Sequence, residues 1–448
     1  MNIKLISPRL SLRPMDSEYK RVLSPSISLL VVAALTSPEH HVYLEDENVK
    51  RLNLDDNPDL VGVTVTVDTS HRAYDIADHY RQKNIPVVFG GIHAGANTPE
   101  ALAHADSVCI GEAEHLWPQI IADAQNHRLQ KTYYHNQPTD LSLTPLPRWD
   151  LLNQSDYLYT SIVSATRGCP FSCQFCYNSS PYIHPGHRFR PIENVIAEIE
   201  ALGTRQVMFI DDNFFGTPDW TRRFLHAIKP MNLRWHAAVS TNIGQHPDML
   251  DLMRDTGCES LFIGFETINA ESNRSVRKTQ NHIDQYHNTI RQIHNRAIMI
   301  NASMAFGFDH DCPDVFTKTL DWLVHHKIET MTAHILTPYP GTKLYQKLKK
   351  ENRIIDHNPT HYNTSHVVFQ PKNLTPQQLY DGYLWIYLNF YSFKNIFRRL
   401  PENPSQRTPY LLFNFGYRKF GKLTSWLAKR GAMNAVGKLA RRLCYNIE

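Results

Sequence analysis

The chain has 448 residues, of which 42% are hydrophobic and 20% charged, with seven cysteines and a net charge of +4. That composition belongs to a globular protein of two or three domains and excludes a wholly disordered or fibrous one. The longest uncharged apolar runs, Val22 to Leu35 and Tyr383 to Phe393, fall short of a bilayer span, and no secretory signal opens the chain, so a cytoplasmic protein is expected.

Seven cysteines are sparse and odd in number, which argues for reduced thiols rather than a disulfide framework. Charge is unevenly spread. From Lys394 to Leu443 there are twelve Lys or Arg and one acid, Glu402, a local +11 that leaves −7 for the rest of the chain.

The first 125 residues read as short β-rich runs (Asn2 to Ser7, His41 to Glu45, Leu60 to Val67, Pro86 to Gly91, Ser107 to Gly111) separated by helical stretches near Ser26 to Thr36, Ser70 to Lys83 and Glu114 to Ala124. Strands alternating with helices at this spacing predict an α/β fold with a parallel, doubly wound sheet, and such sheets bind ligands beyond the carboxyl ends of their strands. Those ends carry Thr66 and Thr69, then Gly90, Gly91 and His93, then Gly111 and Glu112. Glycines there let a bulky ligand approach the backbone, although two glycines after a strand also serve ordinary tight turns. Pro138, Pro145 and Pro147 punctuate a polar stretch that reads as a linker over 136–156.

From Tyr157 a strand-then-helix unit repeats six times, with strands at Tyr159 to Ala165, Gln206 to Asp211, Trp235 to Ser240, Ser260 to Glu266, Ile300 to Phe308 and Thr332 to Pro338. Six units predict a partial barrel, with chemistry at the strand carboxyl ends. After the first strand comes Cys169-Pro-Phe-Ser-Cys173-Gln-Phe-Cys176, three thiolates in one tight loop. A cubane iron-sulfur cluster held by three thiolates keeps one iron open to a small molecule. A zinc site completed by His184 or His187 is the alternative, but zinc modules usually pair two short knuckles instead of crowding three thiols.

The triplet and its surroundings resemble the radical S-adenosylmethionine (SAM) enzymes. The resemblance implies a [4Fe-4S] cluster on Cys169, Cys173 and Cys176 that cleaves SAM reductively, with a low-potential electron donor of the flavodoxin or ferredoxin type. It also implies that Phe175 lies near the adenine and that the acid-rich element at Asp211 and Asp212 receives the amine of SAM. The Gly264-Phe-Glu266 run resembles the family's Gly-x-Glu element, which implies that Glu266 lies near the ribose, and the missing side chain of Gly307 is expected to admit the adenine or methionine moiety. Ser240, which closes the third strand, is a candidate for the SAM carboxylate. The run from Val87 through His93 to Glu114 resembles the cobalamin-binding domain preceding many such cores, and that likeness implies a flavodoxin-like fold over 1–135 with cobalamin across the Thr66, Thr69, Gly90, Gly91, His93, Gly111 and Glu112 loops. The Asp-x-His-x-x-Gly signature that places a histidine on cobalt is absent: the loop after the first strand reads Ser7-Pro-Arg-Leu-Ser-Leu-Arg-Pro14.

Radical SAM chemistry over 157–345 is therefore expected, with cobalamin-mediated methyl transfer to an unactivated carbon of a small or lipid-like substrate. Ring formation or rearrangement without methyl transfer is an alternative, as is a non-catalytic iron-sulfur adaptor. Residues 346–448 read as a helical, basic tail. Basic pairs interleaved with Phe413, Phe415, Phe420 and Trp426 suit an anionic membrane surface, a nucleic acid backbone or a solvated helical face, the membrane being preferred over nucleic acid.

Overall fold

Two wholly parallel six-stranded sheets organise the chain, seen in a computed structural model that describes residues 1–417 apart from Pro14, Met15 and Ser17, together with Ala435, Lys438, Leu439, Arg442 and Leu443. Most of the basic run after Tyr417, including Phe420 and Trp426, lies outside the described residues.

The first sheet comprises β1 (Asn2–Ser7), β2 (His41–Asp46), β3 (Leu60–Thr64), β4 (Val87–Gly90), β5 (Ser107–Ile110) and β6 (Thr132–Tyr134). Its order, β2-β1-β3-β4-β5-β6, reverses direction between β1 and β3, which is where a doubly wound sheet opens a crevice. Central strands such as Leu60-Val-Gly-Val-Thr64 are apolar on both faces because helices cover both. The sequence reading lacked β6, a three-residue edge strand in a stretch without apolar alternation.

The hinge to the second sheet is β7 (Ile162–Val163), which is followed by a two-stranded antiparallel ribbon of β8 (Thr166–Cys169) and β9 (Gly186–Phe189). Then come β10 (Gln206–Phe209), β11 (Arg234–Val239), β12 (Cys258–Glu266), β13 (Met299–Phe306) and β14 (Thr330–Ile335). The order is β14-β13-β12-β11-β10-β7, so the first and last strands are both edges and the barrel stays open. Each strand is followed by a helix whose apolar stripe packs outward-facing residues of the sheet, as Trp220, Phe224 and Leu225 do against Phe209 and Trp235. Burying aromatics of this size stabilises by roughly 1.5–3 kcal/mol each.

The exposed edge of β14 is finished by a helix, not by another strand. Pro376–Phe390 starts at a capping box between Thr375 and Gln378 and presents Tyr387 one turn before the C-cap residue Tyr391. The Tyr391 hydroxyl accepts from the Met331 N–H at 3.1 Å and donates to the Met331 carbonyl at 2.7 Å, and Tyr387 treats Ala333 the same way at 3.1 and 3.3 Å. These hydroxyls satisfy backbone groups that an edge strand would otherwise offer to another chain.

Candidate active site

The carboxyl edge of the first sheet faces the cysteine loop across a cavity of about 710 Å³. Gly90, Gly91, Gly111 and Glu112 line one wall, while Phe175, Cys176, Tyr177 and Asp212 line the other. A Cβ built on Gly90 or Gly111 meets nothing within 4 Å, so these backbones border open space. Gly111 also sits at φ +96°, in a region that side chains disfavour. Tyr177 and Tyr339 stack at 4.8 Å on the cavity wall, and Gly341 brings the loop after β14 against Ala96 of the first sheet's unit.

Four charged side chains tie the walls together. Arg188 on β9 donates to both carboxylate oxygens of Glu112 at 2.7 and 2.8 Å, and Arg167 on β8 lies 3.3 Å from Glu112 and bonds Glu114. The Thr139 N–H reaches Glu112 at 3.2 Å, and the Thr144 hydroxyl reaches Glu114 at 3.0 Å, so the linker is part of the tie. Burial pushes the Glu112 carboxyl up, but the Arg188 hydrogen bonds and the Arg167 charge outweigh it and hold it at about 2. Glu112 lines the cavity with its carboxylate shared by two guanidinia.

The cysteine loop begins inside the β8–β9 ribbon. Gly168, at φ +81°, has the Gly186 carbonyl where a side chain would stand, so only glycine lets Cys169 follow Arg167 there. The Asn213 amide points at the Cys169 sulfur at 3.8 Å and the Gln280 amide donates to the Cys173 sulfur at 3.5 Å. Amide hydrogens on sulfur favour the thiolate form and stabilise a cluster's added charge. Burial pushes the free Cys169 thiol up and the Cys176 thiol to about 12, so these groups need a cation to ionise. Among the described residues, no three His, Cys, Asp or Glu side chains converge as for one metal ion. A cubane spreads its thiolates over separate irons, and three soft sulfurs with amide donors are the set it takes. His187, one zinc candidate, hydrogen-bonds Thr217 at 2.8 Å through Nδ1; His184 stacks near Tyr134.

Several residues singled out from the sequence have other partners. Asp211 is fully buried and accepts from the backbone N–H and hydroxyl of Thr166, with burial raising it to about 6; it braces the ribbon, whereas its exposed neighbour Asp212 faces the cavity. Thr66 and Thr69 spend their hydroxyls on each other and on Asp68, and neither lines the cavity. His93 is 2% exposed and also absent from the cavity wall; burial lowers its pKa, and Glu100 and Asp68 are acidic neighbours that act the other way. A Cβ on Gly307 would meet Leu379 and Phe369, so its missing side chain makes room for these two residues. The Ser240 N–H donates to Asn213 at 3.3 Å, and Cys109, Cys258 and Cys312 make no disulfide.

Glu266 has a partner the sequence did not announce. At φ +63°, where a bulge interrupts β12, it pairs with the buried Lys278 at 2.7 Å and accepts from the Ser303 hydroxyl at 3.2 Å. Burial alone would lower Lys278, but the Glu266 charge prevails and raises it. The ammonium lies 5.7 Å from the Phe175 ring centroid, beside the cysteine loop.

Residues 163–323 match the Radical SAM superfamily, and 342–415 match a domain of unknown function, DUF4070. The chain is 29% identical to bacteriochlorophyllide d C-12(1)-methyltransferase of Chlorobaculum tepidum over 394 residues, covering 85% of this chain and 86% of the relative. It is 27% identical to hopanoid C-2 methylase of Rhodopseudomonas palustris, covering 74% and 65%. In fold it is similar to TsrM, a radical SAM methyltransferase from Kitasatospora setae solved with cobalamin and a [4Fe-4S] cluster, at a TM-score of 0.66 and 15% identity over 98% of this chain and 99% of that one.

Proposed function

We propose that this chain, whose residues 163–323 match the Radical SAM superfamily, is a cobalamin-dependent methyltransferase acting on an unactivated carbon. The observation that carries this reading is the cavity, which joins a glycine-edged sheet terminus to the cysteine loop in one space. Residues 1–135 serve as the cobalamin-binding unit and 157–345 as the radical SAM core, and the following region covers the edge of the barrel with its Pro376–Phe390 helix. Cys169, Cys173 and Cys176 would hold the [4Fe-4S] cluster, and Gly90, Gly91 and Gly111 would lie under the corrin. Bound there, the reduced cluster with SAM supplies a carbon-centred radical and cobalamin supplies the methyl carrier.

The protein's own residues then position and exclude. Asp212 presents a carboxylate to the amine of SAM, and Phe175 offers its ring to the adenine. The Lys278–Glu266 pair holds Glu266 for the ribose hydroxyls. Arg167, Arg188 and Glu112 tie together the two cavity walls that would hold the cofactors, and so would set the room left for a substrate carbon. A low-potential donor of the flavodoxin or ferredoxin type supplies electrons.

The named relatives act on a bacteriochlorophyllide and a hopanoid, and this similarity supports a large, rigid, mostly apolar polycycle as substrate here. Anaerobic reconstitution with iron, sulfide and cobalamin tests the cofactor assignment. One cluster and one cobalamin per chain are expected. Failure to take up cobalamin would count against the reading, and 5'-deoxyadenosine without S-adenosylhomocysteine during turnover would favour a cobalamin-binding enzyme that forms rings or rearranges carbon without methyl transfer.

A further inference from the structure

The turn between Cys173 and Cys176 is gripped from both sides by segments that carry cations. The Gln174 N–H donates to the Val276 carbonyl at 3.0 Å, and the Gln174 carbonyl accepts from the Leu344 N–H at 2.9 Å. Arg277 follows Val276 and Lys343 precedes Leu344; both are exposed, as is Arg274. Gln174, Ser275, Val276, Leu344 and Lys347 border one small pocket, so the two segments and the cysteine loop meet at one place. Ser172 is exposed, which brings the loop to the surface beside the buried Cys173.

The Lys343–Lys350 helix buries Leu344 and Leu348 and holds four lysines and no acid. Lys343, Lys347 and Lys350, spaced by four and three residues, share one face. Lysines in a last turn suit the helix dipole, but Lys343 stands in the first turn, where a cation opposes it, so helix stability does not explain it. Arg277 sits at φ +53°, a conformation that bulky side chains rarely adopt. Lys347, Arg353 and Lys372 crowd the single carboxylate of Asp309 at 2.7, 2.9 and 3.2 Å, and Arg353 also reaches Glu351 at 2.8 Å. Glu271, one turn before Arg274, lies 3.4 Å from His310 instead, and Arg274, Arg277 and Lys343 form no ion pair among the described residues. Outside the C-terminal basic run the chain is net acidic at −7, so a basic surface here stands out against it.

We propose that the Lys343–Lys350 helix and the 274–277 turn form the docking surface for an acidic one-electron carrier protein. This dock rests on the reading of Cys169, Cys173 and Cys176 as cluster ligands. Cations on both sides of Gln174 steer an acidic partner to the loop through which an electron must pass. The carrier is oxidised and the cluster reduced by one electron each, and no bond forms or breaks. None of the exposed aromatics lies on these two segments, which leaves a nucleic acid no stacking platform.

Formation of 5'-deoxyadenosine from SAM by the anaerobically reconstituted full chain, driven by dithionite, by a reduced flavodoxin or by a reduced ferredoxin, tests this. At least one carrier should support cleavage, with a kcat/KM for the carrier that falls as salt rises. Arg274→Glu with Lys343→Glu should lower that kcat/KM about tenfold and flatten its salt dependence, with dithionite-driven cleavage, cluster content and the thermal transition unchanged. Lys50→Glu with Arg51→Glu, the same charge change just after β2, should leave it at the wild-type level. The dock is overturned if neither carrier supports cleavage that dithionite drives, or if both double variants lose carrier-driven cleavage equally. It is also overturned if the Arg274 and Lys343 variant keeps wild-type carrier kinetics, or loses dithionite-driven cleavage to the same degree. Retention on single-stranded RNA that this variant abolishes, with carrier kinetics unmoved, would overturn it in favour of that occupant. No cleavage even with dithionite would overturn the cluster reading, and the dock with it.

Discussion

Replacing Glu112 by Gln removes the charge that both Arg167 and Arg188 neutralise while keeping the side chain's shape. The carboxyl falls from an ordinary 4.5 to about 2 in the folded protein, a difference worth ~3.4 kcal/mol at about 1.36 kcal/mol per pH unit. The side chain keeps 18% exposure, and solvent screening trims this to about 2 kcal/mol. For a unit of this size that lowers the melting transition by about 4–8 °C. Because the folded pKa is depressed, the stabilisation is fully present above about pH 4.5 and fades as pH falls toward 2. Scanning calorimetry of the wild-type and Glu112→Gln apoproteins should therefore show a gap at neutral pH that narrows by about pH 3. A gap below about 0.5 kcal/mol at neutral pH, the range of an indifferent surface change, or one that does not narrow in acid, would refute the tie.

Serine at Cys169, Cys173 or Cys176 should each abolish cluster absorption and 5'-deoxyadenosine formation while leaving the melting transition of the apoprotein nearly unmoved; cleavage that survives any of the three would remove that cysteine from the ligand set. Gly111→Val puts a branched side chain at φ +96° and into the cavity, so cobalamin retention should drop at least about tenfold with cluster content intact. Equal retention would mean that the corrin lies elsewhere. Glu266→Gln and Lys278→Met each strand a buried charge and should cost about 3–5 kcal/mol, while the double variant costs less than their sum; strict additivity in a double-mutant cycle would show that the pair is not coupled.

Apart from the short edge strand β6, the strands of both sheets were legible because most are apolar runs ended by polar or glycine residues, as in Leu261-Phe-Ile-Gly-Phe-Glu266, and helix periodicity filled the gaps between them. The cysteine loop was legible because ligand spacing is local. What the sequence hid is long-range pairing. Nothing near Arg167 or Arg188 says that their partner is Glu112, more than fifty residues upstream, and Asp211 reads like Asp212 until the fold turns one inward to Thr166. Gly307 looked like room for a ligand because a sequence does not show that Leu379 fills the space. The tyrosines at 387 and 391 read as ordinary apolar helix positions; only the open edge of β14 gives their hydroxyls a purpose.

Methyl transfer at a site shared by Gly90, Gly111 and the cysteine loop can be read directly from turnover of the anaerobically reconstituted protein with methyl-labelled SAM and lipid and pigment extracts, followed by mass spectrometry. Label is expected on a carbon of a polycyclic product, together with S-adenosylhomocysteine and 5'-deoxyadenosine, all lost in Cys173→Ser. Sustained 5'-deoxyadenosine with product formation but without S-adenosylhomocysteine or label in any product would contradict it.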